Sequence, residues 1–178
     1  MEFLNNTKNF GLMILILGVL DVVLAVLTMI DDGFSVIGLG SILGPIVMIL
    51  AGLAIFSQTN GGIISFAFPE GSSSKFGALT GYIFATGLSA IVSLQIGGVI
   101  FGLLILLVGW IITNDKKTII DSIIWIFLVV LFGLITLFAI LGAFGGGVYL
   151  IVGGICTALL HLMGFLYLLD KDVKKKLV

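Results

Sequence analysis

Between Phe76 and Ile112 the chain reads FGALTGYIFATGLSAIV, then SLQ, then IGGVIFGLLILLVGWII. A single helix over these roughly 37 residues would be about 55 Å long at 1.5 Å per residue. The hydrocarbon core of a bilayer is only about 30 Å thick. One crossing is therefore excluded. Two short spans, Phe76–Val92 and Ile96–Ile112, turning at Ser93-Leu94-Gln95, fit the bilayer, and a re-entrant hairpin is the alternative.

Outward from this pair stand four longer apolar runs, Phe10–Ile30 and Ser35–Phe56 before it, Ile119–Ile140 and Val148–Leu169 after it. Each has the roughly 20 residues that a crossing requires. The predicted fold is all-α: one polytopic membrane domain over residues 1–178 with six spans. Composition agrees, since 60% of the residues are hydrophobic and 10% charged, against about a quarter charged in soluble domains. A mean hydropathy of +1.37 excludes a soluble globular domain. The 25 glycines are a bias tolerated where membrane helices pack closely. Residues 1–9 are mostly polar and no small-residue cleavage site follows the first run, so that run reads as a retained span rather than a signal peptide.

Lysines test the span count independently. With the N-terminus inside, Lys8, Lys75, Lys116, Lys117, Lys171, Lys174, Lys175 and Lys176 all fall on inner segments. The outer turns Asp31–Phe34, Ser93–Gln95 and Leu141–Gly147 hold none, as the positive-inside rule expects. Removing one span would scatter the lysines across both faces. Both termini are thus expected in the cytoplasm. The tail lysines Lys171, Lys174, Lys175 and Lys176 favour anionic inner-leaflet lipids by roughly 1 kcal/mol each; lipid or partner docking is their functional reading, and a plain topology anchor is the favoured one. Tyr82, Trp110 and Tyr167 are expected near inner helix ends and Tyr149 near an outer end. All eight basic residues are lysine, so an arginine-built nucleic-acid footprint is absent.

The even-numbered spans end alike, around Gly52, Gly109 and Gly164, each with another glycine (Gly44, Gly102, Gly154) seven to ten positions earlier. Odd-span glycines Gly18, Gly77 and Gly133 precede them by 31 to 34 residues. Such spacing predicts three parallel hairpin repeats about an axis along the membrane normal. Gly11-Leu12-Met13-Ile14-Leu15-Ile16-Leu17-Gly18-Val19-Leu20, a short turn, then Leu43-Gly44-Pro45-Ile46-Val47-Met48-Ile49-Leu50-Ala51-Gly52-Leu53 resembles the short hairpin repeat of HdeD-type bacterial membrane proteins. The resemblance implies a prokaryotic plasma-membrane protein with a structural or stress-related, acid-resistance-associated role. It carries over no functional residue, and Asp31-Asp32-Gly33 stands where that family commonly has a proline.

Glycines four apart share a helix face and let backbones approach. Gly40 with Gly44, Gly77 with Gly81, and Gly98 with Gly102 qualify, either for packing within the chain, which six spans favour, or for a homo-oligomer or larger membrane complex. Pro45 removes one helical hydrogen bond and predicts a kink.

Few polar side chains lie at depth. Thr118-x-x-Asp121 reads as a cap with a carboxylate in the first turn. Asp31 and Asp32 fall in the first outer turn, with Asp32 as a cap for the second span. Gln95 belongs to an outer turn, and Tyr82 needs no functional account at the inner interface. Asp21 differs: it sits near mid-bilayer, where insertion costs about 2.5–3.5 kcal/mol. His161, only about 4–5 Å different in depth at 1.5 Å per residue, is its best partner if the first span lies beside the last. A proton-sensitive Asp21–His161 pair competes with a neutral hydrogen bond, or with Asp21 bonded to Thr28.

Catalysis finds no support. There is no GxSxG, no HExxH, no phosphate-cradling loop and one histidine, and Cys156 lies five positions from it. No metal set or cofactor motif is present, and no enzyme is expected. The longest connection, Ser57–Lys75, has an interfacial stretch Gly61–Phe68 and a turn through Pro69 and Ser72–Ser74. A structural or stress-related membrane protein is the first expectation. A small-molecule transporter, or the substrate-binding subunit of one, and an accessory subunit of a larger complex are the alternatives.

Overall fold

The structure, a computed structural model, describes residues 2–59, 67–68, 70–144 and 148–178. Most of the Gly61–Phe68 stretch, Pro69, the turn residues 145–147 and the ring of Tyr149 lie outside the described residues. Among the described residues eight helices follow one another: α1 (Glu2–Asn5), α2 (Thr7–Asp32), α3 (Val36–Ser57), α4 (Lys75–Val92), α5 (Ile96–Thr113), α6 (Ile119–Ala143), α7 (Val148–Leu169) and α8 (Lys171–Leu177). Six of them, α2 to α7, are long and apolar enough to cross a membrane. Their bounds lie within three residues of those read from the sequence.

Local chemistry sets most starts. Asn6 accepts from the Lys8 N–H at 2.9 Å to open α2, and Ser74 accepts from the Gly77 N–H at 2.8 Å to open α4. At α6 the Asp121 carboxylate takes both the Thr118 N–H (2.6 Å) and the Thr118 hydroxyl (2.8 Å). The cap of α3 is not Asp32. That residue ends α2, Gly33 turns the chain at φ +87°, and Ser35 accepts from the Gly38 N–H at 2.9 Å. Between α4 and α5 the reversal is made by Leu94 in the left-handed region (φ +59°), beside Gln95. Helix α3 runs through Pro45 without interruption.

Consecutive spans pair most extensively: α2 with α3, α4 with α5, α6 with α7. Helix α3 then packs on α4, and α2 packs on α7, so the first span does lie beside the last. Helix α4 also touches α2 and α7 across the middle. It is the most buried of the spans and the least apolar, while α6 is the least buried. Between α5 and α6 the contact is thin, and α2 does not touch α6 among the described residues.

Glycines set the close approaches. Gly40 and Gly44 face Ser93 and Ser89 of α4, Gly98 and Gly102 face Ala90 and Gly87 of the same helix, and Gly77 and Gly81 face Gly71 and the Phe68 ring. All six thus lie against elements of their own chain. The α2–α3 crossing is tight: a methyl on Gly11 would lie 2.5 Å from the Phe56 nitrogen and 2.8 Å from the Gly52 oxygen.

Two buried clusters form the core. One joins Phe10 and Ile14 of α2, Ile55 of α3 and Leu160, Met163 and Tyr167 of α7. The other joins Phe76, Leu79, Ile83, Ile112, Leu128, Phe132 and Leu168, and receives Val173 and Leu177 of α8. Helix α8 therefore docks by an i, i+4 apolar pair across the ends of α4, α5 and α6. Lys75 meets Asp170 at 2.6 Å, Lys176 pairs with Glu70, Lys174 lies 4.3 Å above the Trp125 ring, and the Thr7 hydroxyl donates to the Ser73 carbonyl. These contacts gather the chain's two ends, the start of α4 and the turn before α6 at one lysine-bearing end. Hydrogen bonding to Lys75 holds the Asp170 carboxyl below its usual range. Two of the four tail lysines thus have partners inside the chain, while Lys171 and Lys175 are exposed.

Candidate functional site

Above the first cluster, toward the α2–α3 turn, the packing opens. A half-open cavity of about 450 Å³ lies between α2 and the α6–α7 hairpin, where α2 and α6 stay apart. Its walls are mostly apolar or glycine: Leu17, Gly18 and Leu20 of α2, Met48 of α3, Gly142 of α6, and Gly153 and Gly154 of α7. Four polar side chains reach it: Asp21 from α2, Tyr82 from α4, Thr157 and His161 from α7. At 1.5 Å per residue, His161 sits about 12 Å along α7 from its Leu169 end, and Asp21 about 16 Å along α2 from its Asp32 end. The site is therefore near the middle of the spans.

His161 is buried, and both ring nitrogens are engaged. Its Nδ1 lies 2.8 Å from the Thr157 carbonyl oxygen, and its Nε2 lies 3.2 Å from the Tyr82 hydroxyl. A carbonyl only accepts, so in the neutral ring the proton is on Nδ1. The Nε2 lone pair then accepts from the Tyr82 O–H. Aromatic neighbours fix this geometry: Phe10 meets Tyr82 edge-on at 5.8 Å, Phe132 meets it edge-on at 6.1 Å, and Phe132 lies 5.2 Å from the His161 ring. Edge-to-face arrays of this kind favour a single orientation of each ring. Tyr82 and His161 also border a second, apolar cavity of about 90 Å³ against α5 and α6.

The two residues expected to pair, Asp21 and His161, do border one cavity, but the hydrogen bonds of the imidazole go to Thr157 and Tyr82. Thr28, the other proposed partner of Asp21, donates to its own helix at Leu24, 3.0 Å away. Tyr82 is the residue that sequence reasoning missed. Its place in the sequence predicts the inner interface, and it stands instead at the crossing of α4 with α7. One signal was available: Thr80, Tyr82, Thr86 and Ser89 make Phe76–Val92 conspicuously less apolar than its neighbours, as a central helix would be.

Among the described residues no group of histidine, cysteine and carboxylate side chains could hold a metal ion. Chemically, the arrangement can bind and orient a small molecule: apolar walls, one carboxylate, and a histidine–tyrosine pair in which the phenol O–H donates to the imidazole Nε2. No family model, curated protein or solved structure matches the chain.

Proposed function

We propose that the chain is a multi-pass plasma-membrane protein that holds a small molecule in the cavity between α2 and the α6–α7 hairpin, as a carrier or a substrate-binding subunit. The observation that supports this reading is the cavity. The space lies where α2 and α6 stay apart, whereas packed interiors leave few voids larger than a water molecule. Its volume of about 450 Å³ falls inside the roughly 300–1,000 Å³ range of small-molecule sites, and it shares their pattern of apolar walls with a few convergent polar groups. Glycine keeps it open at two positions. A Cβ on Gly142 or Gly153 would meet nothing within 4 Å, so a side chain can start into the space from either position. At about 30 Å³ per water the volume holds about 15 waters, or a ligand of similar heavy-atom number. The lysine-bearing end faces the cytoplasm by the positive-inside rule, which puts the Gly142 and Leu150 end of the cavity outward.

Native mass spectrometry of the protein released from its own membrane tests the proposal. Wild type is expected to carry one small organic molecule per chain. Gly153→Leu, which plugs the cavity, is expected to lose it while melting at the wild-type temperature. Bare protein in both cases would overturn the ligand-binding role and return the chain to the structural, stress-related one.

A further inference from the structure

The polar groups around the cavity are unequal in kind, and this points to the class of molecule it takes. Of the His161 ring, the Nδ1–H is committed to the Thr157 carbonyl. The Tyr82 O–H is committed to the His161 Nε2. What these side chains still offer is a phenol oxygen with its lone pairs. Asp21 offers a carboxylate, an acceptor only, with about four lone-pair sites, so that a contact within the bundle does not exhaust it. Among the described residues no lysine borders the cavity, and Asp21 is the one lining residue with a formal charge. The surroundings are apolar, which strengthens any charge interaction made there.

Resting on the ligand-binding reading above, we infer that the molecule held here is a lipophilic amine. Its ammonium N–H groups bind the Asp21 carboxylate and the Tyr82 phenol oxygen, and its apolar part lies against Leu17, Leu20 and Met48. A neutral alcohol could donate one hydrogen bond but supplies no counter-charge. A carboxylic acid would set like charge against Asp21 and meet no cation among the lining residues. The Thr157–His161–Tyr82 chain has the role of a positioning device: it fixes the phenol so that its oxygen, not its hydrogen, faces the ligand.

The test uses the full chain in nanodiscs of neutral phosphatidylcholine, with empty discs subtracted. Three probes share one skeleton: 4-phenylbutylamine, 4-phenylbutanol and 4-phenylbutyrate. The amine is expected to saturate at one per chain and to bind about tenfold or more tighter than the alcohol, the scale of a charge-assisted hydrogen bond. Asp21→Asn, close to isosteric, is expected to remove that difference. Gly153→Leu is expected to abolish binding of every probe. Alcohol or butyrate binding as tightly as the amine, with Gly153→Leu still blocking, overturns the amine assignment and leaves the ligand-binding role standing. An amine preference that survives Asp21→Asn overturns it as well. Saturation by none of the probes overturns the assignment together with the role it rests on.

Discussion

Replacing Gly11 by alanine places a methyl group where α2 and α3 come closest. Its carbon would lie 2.5 Å from the Phe56 nitrogen and 2.8 Å from the Gly52 oxygen, and ordinary contact begins near 3.4 Å. Both obstacles are backbone atoms of α3, which cannot rotate aside. The helices must part by about 0.6–0.9 Å, from the differences 3.4 − 2.8 and 3.4 − 2.5. Overpacking of this order costs about 1–3 kcal/mol. Alanine also favours the helix over glycine by about 1 kcal/mol, so the net loss understates the steric part. Gly153→Ala isolates the favourable share, because nothing lies within 4 Å of its Cβ. The difference between the two variants should be about 1–3 kcal/mol. At about 2–4 °C per kcal/mol for a chain of this size, Gly11→Ala melts several degrees below Gly153→Ala. Cys156 supplies the assay: it is the one cysteine of the chain and is buried, so a thiol-reactive fluorophore reports unfolding in detergent. Gly11→Ala melting at or above Gly153→Ala would refute the α2–α3 geometry.

Histidine occurs once, so ¹⁵N-histidine labelling gives the resonances of a single ring. Wild type should show a protonated Nδ1 and an accepting Nε2. Tyr82→Phe should shift Nε2 alone and lower stability by about 1–3 kcal/mol, the cost of leaving a buried acceptor unpaired; an unchanged Nε2 signal would remove the Tyr82 bond. The Asp170 carboxyl titrates below its usual range because Lys75 binds its charged form. The clamp is therefore complete at neutral pH and lost as pH falls through that lowered value. A half-buried pair of this kind contributes up to about 1 kcal/mol, so Asp170→Asn should raise hydrogen exchange in α8 up to about fivefold at pH 7, with wild type approaching the variant only under strong acid. Equal exchange at pH 7 counts against the clamp. On a Cys156→Ser background, Phe34→Cys should react with an impermeant maleimide in intact cells and Lys175→Cys only after lysis. The reverse pattern would invert the topology.

The spans were legible because hydrocarbon thickness imposes a length that composition cannot disguise, and a three-residue break at Ser93-Leu94-Gln95 is enough to end one helix and start the next. The Thr118–Asp121 cap was legible for a related reason: both partners lie within one turn. The cap of α3 was not, because Asp31 and Asp32 extend α2 and leave Ser35 as the first free oxygen after Gly33. Chain distance locates depth but not face, and this hid Tyr82. Its depth is moderate, and only the packing of α4 against α7 turns the phenol toward His161. Asp21 and His161 stood out as the polar groups hardest to explain in apolar runs, and they do border one cavity. That the space between them is open depends on α2 and α6 failing to touch, a property of the assembled helices that no segment carries alone. Helix α8 went unread although Asp170, Val173 and Leu177 are spaced as a cap followed by one apolar face.

The central, less apolar α4 has a consequence for how the chain reaches its membrane. It is the third span to be made, and one of its docking partners, α7, is the last. At about 5–20 residues per second, the roughly 77 residues from the end of α4 to the end of α7 take about 4–15 s to synthesise. During that interval Tyr82 lacks His161, its hydrogen-bond partner on α7, so α4 must wait beside the insertion machinery or against the half-built bundle. Biogenesis is then cooperative across the whole length of the chain, and release before α7 leaves the Tyr82 phenol without that partner.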